Sequence, residues 1–129
     1  MPGIVIIDDD ALMRSLLTEW LATEGYAVSA TAEVEPMPGA APSLVIVDVY
    51  MPRRLGTQRL RAARAAYPGV PVIAISSQFC AGVDWAGRTA RALGVQGVIA
   101  KPCGREALLD LVRSVIVSTV AESPGACQF

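Results

Sequence analysis

The residues most suited to chemistry are aspartates that follow apolar stretches. Asp8, Asp9 and Asp10 come directly after one such stretch, and Asp48 comes after another. Adjacent carboxylates repel one another, so ionising all of them in one place is costly. A divalent cation offsets that repulsion, and Mg²⁺ prefers carboxylate oxygens, usually with waters that complete its octahedron. The pattern therefore indicates a Mg²⁺ site built from Asp8, Asp9 and Asp48.

A hydroxyl and an ammonium group stand at corresponding places farther along the chain. Ser76 and Lys101 also follow apolar stretches. A carboxylate held beside Mg²⁺ and a lysine can act as a nucleophile toward phosphorus and form an aspartyl phosphate. Any one of these residues alone is more often a cap, a turn or a solvated loop residue, and for Asp10 we expect a helix N-cap. The occurrence of all of these residues together, after four separate apolar stretches, favours phosphoryl chemistry.

The elements that must position these side chains alternate along the chain. Short apolar runs predict strands at residues 4–7, 44–47, 70–75 and 98–100, with a weaker strand at 27–31. Apolar spacing and glycine or proline stops predict helices at residues 11–25, 57–66, 84–93 and 104–120. This alternation predicts an α/β fold with a doubly wound parallel sheet. Since the carboxyl ends of parallel strands share one edge, the polar residues should converge in the crevice outside it.

Composition narrows the class of protein. The chain has 129 residues, a formal net charge of -1 and 53% hydrophobic residues, which fits one domain with a single core. Without a basic surplus, no nucleic-acid partner is expected. Cys80, Cys103 and Cys127 form no paired framework, and no leader or membrane-spanning run is visible, so we expect a cytoplasmic protein with no membrane partner. The absence of histidine removes the usual acid–base and transition-metal chemistry.

Four stretches in this order give the chain its resemblance to a known family: IVIIDDD, LVIVDVYMP, VPVIAISS and GVIAKP. Together they resemble the receiver domains of two-component response regulators, over residues 4–118. The resemblance implies a flavodoxin-like sheet of five parallel strands in the order 2-1-3-4-5. It also implies that Asp48 is the phosphoacceptor. Mg²⁺ would be bound directly by Asp9, largely through water by Asp8, and by Asp48 and the backbone carbonyl of Tyr50.

The same resemblance implies the remaining roles. Ser76 would hydrogen-bond a phosphoryl oxygen, Lys101 would pair with the phosphoryl group, and Pro102 would follow a cis peptide bond. A sensor histidine kinase or a phosphotransfer protein would supply the phosphoryl group, and a downstream protein target would read it. The domain would act as a switch and not as a turnover enzyme. We expect a stand-alone receiver over residues 1–120 and a tail over 121–129, too short for an effector domain.

Two regions depart from the family's pattern. Val98 stands where receivers usually carry an aromatic residue, so the rotation of that ring, which is familiar in the family, is not expected in its usual form. The segment between Ser76 and Gly97 is a few residues longer than the family's pattern. Three prolines in residues 32–42 predict that the second helix is short or absent: Pro36, Pro38 and Pro42. The apolar strands beside it would then lack cover. We expect that side to serve self-association, as a homodimer, or partner docking, unless Val34 and Met37 fold over the strands and seal them.

Two other functions fit part of the pattern. The first alternative is a phosphatase or phosphotransferase of the haloacid-dehalogenase type, which also carries a D-x-D motif after its first strand. Asp8 and Asp10 could form that motif. The family requires a small residue pair such as Gly-Thr soon after the motif, whereas the sequence here continues with Ala11, Leu12 and Met13. The second alternative is a degenerate receiver that serves as an unphosphorylated docking module. The complete acidic set and Lys101 argue against that alternative, and Val98 argues for it.

Overall fold

The structure, a computed structural model, describes residues 3–32, 34, 42–49, 53–76, 83–84, 94–100 and 104–121. Within these ranges, only the backbone is described at residues 53–57, 76, 83–84 and 118–121. The described part contains nine elements: β1 (Gly3–Ile7), α1 (Ala11–Thr23), β2 (Ala27–Thr31), β3 (Leu44–Asp48), α2 (Arg53–Ala66), β4 (Val72–Ser76), β5 (Val83–Asp84), β6 (Gly97–Ala100) and α3 (Arg105–Ala121). None of the helices in this part is long and apolar enough to cross a membrane.

The strands form one sheet in the order β2-β1-β3-β4-β6-β5. The first five strands of that order are mutually parallel, with β6 in the fifth place. This confirms the flavodoxin-like fold with five parallel strands in the predicted order. The structure adds β5, a two-residue strand that pairs antiparallel with β6 at the sheet's edge. Asp84 lies in that strand and does not begin a helix as predicted; the rest of the predicted helix, residues 85–93, lies outside the described residues.

Two buried clusters cover the two faces of the sheet. Alternate residues of a strand point to opposite faces, so Ile4 and Ile6 join one cluster while Val5 and Ile7 join the other. The cluster that contains Ile4 and Ile6, called the α1/α3 cluster below, also contains these residues of helices α1 and α3: Leu17, Leu21, Leu108, Leu109, Leu111, Val112 and Val115. The cluster that contains Val5 and Ile7, called the α2 cluster below, also contains Leu60 and Ala63 of helix α2. The central strands are therefore covered on both sides, as their unbroken apolar sequence predicts.

The ends of α1 agree with the sequence. Asp10 is the N-cap, and its Oδ1 accepts hydrogen bonds from the backbone N–H groups of Leu12 at 3.0 Å and Met13 at 3.4 Å. These bonds satisfy two donors that have no partner inside the helix. At the other end, Gly25 has a φ of 96°, a left-handed conformation that glycine adopts without strain. The predicted start at Ala11 is confirmed, and the helix ends at Thr23, two residues before the predicted end at Gly25.

The predicted gap in the cover of the sheet is not observed at β1 and β3. Their apolar side chains are buried, and residues 44–47 are all 0% exposed. Val34, which is half-buried, packs against the α2 cluster, as the alternative prediction required. The described residues do not include Pro36, Met37 and Pro38 of the segment 32–42. The three described helices are consistent with a short or missing second helix. No exposed apolar area is observed on β1 and β3, and self-association or partner docking on the side of residues 32–42 stays a prediction.

Candidate functional site

Three carboxylates meet at the carboxyl edge of the sheet. Asp48 is the last residue of β3, and Asp8 follows the last residue of β1. The two strands pair with Ile7 opposite Val47, so the next residues, Asp8 and Asp48, lie side by side at the carboxyl edge. One carboxylate oxygen from each of Asp8, Asp9 and Asp48 lies within 4.8 Å of the others. The structure thus brings together the three aspartates that the sequence predicts.

The backbone around Asp8 fixes its position at the end of β1. Its N–H donates to the carbonyl oxygen of Thr31 at 3.0 Å, and its carbonyl oxygen accepts a hydrogen bond from Arg14 Nη1 at 2.7 Å. Its side-chain Oδ1 accepts from the backbone N–H of Asp10 at 2.9 Å. Each of these contacts restrains one part of the residue. The carboxylate is therefore held in place by the turn that leads into α1.

The three carboxylates differ in their access to water. Asp8 is fully buried and Asp48 is 4% exposed, whereas the side chain of Asp9 is 50% exposed. Buried carboxylates need compensating positive charge, and hard oxygen donors at this separation suit Mg²⁺, which retains several of its waters at partly open sites. The donor set therefore fits the magnesium ion that receiver domains generally bind at an acidic pocket. Tyr50, the predicted fourth ligand, lies outside the described residues.

The two non-acidic predicted residues are located only in part. Ser76 ends β4 and lies one position beyond Ile75, the residue paired with Asp48, so its backbone is at the same edge of the sheet. Ser76 is in turn paired with Ala100, the last residue of β6. Lys101 and Pro102 come next in the sequence and lie outside the described residues. The register agrees with the predicted convergence at the level of the backbone, and the side-chain roles stay predictions.

Val98 is 3% exposed and belongs to the α2 cluster. Its side chain fills a place in the core between the sheet and α2. No ring stands at this position to move between an inward and an outward orientation. A conformational response to phosphorylation would therefore have to use other side chains.

An arginine that is not among the residues predicted from the sequence also reaches the site. Arg59, in the second turn of α2, donates from Nη1 to the carbonyl oxygen of Asp48 at 3.1 Å. Its guanidinium also lies 3.6 Å from Asp48 Oδ2 and 3.6 Å from Asp9 Oδ2. Arg14, which contacts the carbonyl oxygen of Asp8, is a second such residue. Both arginines lie in the first two turns of a helix that follows an acidic strand end, a position that sequence can indicate without showing where the guanidinium points.

The fold and the site define an α/β domain with an acidic pocket at the carboxyl edge of a flavodoxin-like sheet. A family model described as the response regulator receiver domain matches residues 4–113. The chain belongs to the response regulator receiver domain family, the class of two-component signalling domains that the sequence resembles. Such domains are in general not enzymes themselves, and they interact with histidine kinases or phosphotransfer proteins and with downstream effectors.

Curated relatives match the chain over part of their length. A protein-glutamate methylesterase/protein-glutamine glutaminase 5 of Anaeromyxobacter dehalogenans (strain 2CP-C) is 37% identical over 105 residues, which is 77% of this chain and 28% of the relative. A protein of the same name, without the number, from Symbiobacterium thermophilum is 32% identical over 130 residues, covering 95% of this chain and 35% of the relative. The chain thus spans about a third of the length of these relatives.

Two similar solved structures are matched over nearly their whole length. A response regulator receiver protein from Burkholderia phymatum is 29% identical with a TM-score of 0.70, covering 91% of this chain and 96% of that one. A CheY-like response regulator receiver domain protein from Methanospirillum hungatei JF-1 is 22% identical with a TM-score of 0.76, covering 95% of this chain and 99% of that one. The second likeness concerns the fold alone.

Proposed function

We propose that this receiver domain accepts a phosphoryl group on Asp48, with Mg²⁺ held by Asp8, Asp9 and Asp48. The observation that carries the proposal is the placement of Asp48. Its carboxylate is buried at the end of a central strand, within 4.8 Å of two further carboxylates. A nucleophilic carboxylate needs a fixed position and a cation that neutralises the transferring group, and this cluster of acids supplies the site for both.

The chemistry assigns a separate task to each residue. An oxygen of Asp48 attacks phosphorus while the bond from phosphorus to the donor breaks and the donor leaves with the electron pair. When bound, Mg²⁺ supplies charge that neutralises the phosphoryl oxygens. Lys101 pairs with the same oxygens, and the Ser76 hydroxyl donates a hydrogen bond to one of them. The backbone carbonyl of Tyr50 completes the protein's share of the metal ligands.

The donor in this proposal is the phosphohistidine of a sensor kinase or phosphotransfer protein, and the output is a contact with a downstream protein. Family membership supports both, because receiver domains interact with partners of these kinds. The haloacid-dehalogenase alternative needs Asp10 in the reaction. Asp10 instead uses its Oδ1 to cap α1, so the second acid of the D-x-D pair is committed to the backbone of the helix.

The test is phosphorylation by a small phosphodonor such as acetyl phosphate, followed by intact-mass spectrometry. The wild type with Mg²⁺ should gain one phosphoryl mass, and Asp48→Asn should gain none because the amide is not a nucleophile for this transfer. Removal of Mg²⁺ with a chelator should also prevent labelling of the wild type. Asp10→Asn is the matched control, since it removes one neighbouring charge and leaves Asp48 intact. A labile phosphoryl group on Asp48→Asn would show that another residue is the acceptor.

A further inference from the structure

Arg59 places a positive charge between two of the three acidic residues. Its Nη2 lies 3.6 Å from Asp9 Oδ2, and its Nη1 lies 3.6 Å from Asp48 Oδ2. The hydrogen bond from Nη1 to the Asp48 carbonyl oxygen, at 3.1 Å, ties the guanidinium to the end of β3. The arginine side chain is only 21% exposed, so this arrangement is partly shielded from solvent. Arg59 therefore serves as a counter-charge to the same carboxylates that would bind a metal ion.

A metal ion and this guanidinium would interact with the same two carboxylates, those of Asp9 and Asp48. Mg²⁺ binds carboxylate oxygens at about 2.0–2.1 Å and demands near-octahedral geometry. A cation bound that closely to Asp9 and Asp48 would repel a guanidinium a few ångströms away, and in a partly buried site that repulsion is poorly screened. Each cation therefore opposes the binding of the other to Asp9 and Asp48.

We propose that Arg59 is an internal counter-cation of the acidic pocket, which Mg²⁺ displaces from Asp9 and Asp48 when it binds. The inference rests on the proposed Mg²⁺ site. Arg59 offsets the repulsion among the carboxylates in the metal-free domain, and that same pairing opposes metal binding. Arg59 thus sets the Mg²⁺ concentration at which the pocket becomes loaded. It is a positioning residue: it acts through the charge and position of Asp9 and Asp48, and the proposal gives it no part in the transfer of the phosphoryl group.

The first measurement is Mg²⁺ affinity by isothermal titration calorimetry on folded protein. Arg59→Gln, which removes the charge and keeps a polar, helix-forming side chain, should bind Mg²⁺ about tenfold more tightly than the wild type, equivalent to about 1.4 kcal/mol. Arg59→Lys keeps the charge without the two-pronged geometry and should fall between them. Arg61→Gln is the matched control: it removes the same charge from the same helix at an exposed position and should stay within about twofold of the wild type.

The second measurement separates displacement from a merely structural role. Without Mg²⁺, Arg59→Gln should melt at a lower temperature than the wild type, because its carboxylates have lost a counter-charge. At saturating Mg²⁺ the difference should shrink, since the metal stabilises the folded variant more and the wild type gives up the Arg59 contacts. A deficit in melting temperature that is the same with and without Mg²⁺ would show a structural role alone and overturn the proposal.

The remaining outcomes distinguish this inference from the proposed function. Equal or weaker Mg²⁺ affinity in Arg59→Gln, with clear binding to the wild type, would overturn the role of Arg59 and leave the metal site standing. Absence of Mg²⁺ binding in both proteins would overturn the metal site and this inference with it. Phosphodonor labelling of Asp48, measured on the same samples, reports separately on the phosphoacceptor.

Discussion

Replacing Asp10 should separate the structural aspartate from the two proposed metal ligands beside it. Asp10→Ala removes the oxygen that accepts from Leu12 and Met13 at 3.0 and 3.4 Å. Loss of an N-cap costs about 1 kcal/mol, and loss of a negative charge at a helix N-terminus adds about 0.3–1 kcal/mol. The total of about 1.5 kcal/mol should lower the melting temperature by about 5 °C for a domain of this size. Asp10→Asn retains the acceptor and should lose only the charge contribution, about 0.5 kcal/mol.

The assay pairs urea unfolding in a chelator with Mg²⁺ titration of the same proteins. Asp10→Ala should lose stability while its Mg²⁺ affinity changes by no more than about threefold, the share of one nearby screened charge. Asp9→Asn should do the reverse, with a loss of Mg²⁺ affinity of more than about tenfold and a stability change within about 0.5 kcal/mol. Unchanged stability together with a large loss of Mg²⁺ affinity in Asp10→Ala would refute the assignment of Asp10 as a cap.

Two further predictions concern stability, and both can be measured by urea unfolding. Leu17 is fully buried in the α1/α3 cluster, and Leu17→Ala should lower the free energy of unfolding by about 2–5 kcal/mol. Leu12 is 70% exposed on the same helix, and Leu12→Ala should change that free energy by no more than about 0.5 kcal/mol. Similar losses for the two variants would contradict the packing of α1. Gly25→Ala and Gly94→Ala should each cost about 1–2 kcal/mol, because both glycines have a positive φ; the added Cβ at Gly94 would meet the end of the exposed Arg64 side chain, which can move away. A loss below about 0.5 kcal/mol at either position would count against its left-handed conformation.

The three aspartates of the site could be predicted from the sequence, because residues that follow parallel strands must lie together at one edge of the sheet. Asp8 and Asp48 each follow an unbroken apolar run, which is typical of a strand covered on both faces. Once the strands are parallel, their carboxyl ends must share an edge. The observed register, with Ile7 opposite Val47, then follows from burying both runs at the same depth.

The features that could not be predicted from the sequence depend on the direction of a long side chain and on contacts between segments that are distant in the chain. Arg59 lies on α2 beside the core residue Leu60, and nothing in a helical pattern states that its guanidinium turns back to Asp9 and Asp48. The cover of β1 and β3 was underestimated, because prolines argue against a helix and say little about a loop residue such as Val34 packing against the core. The short strand β5 depends on pairing with β6, a contact between segments that periodicity does not encode.

The phosphoacceptor itself is the most direct target for measurement. The wild-type domain is labelled with acetyl phosphate and Mg²⁺ and then reduced with borohydride, which converts an aspartyl phosphate to homoserine and marks the position permanently. Tandem mass spectrometry of the digested protein reads the modified residue. We predict a single modified position, Asp48, and no modification when Mg²⁺ is chelated. Modification at Asp8 or Asp9, or a folded, Mg²⁺-loaded domain that takes up no phosphoryl group, would contradict the proposed function.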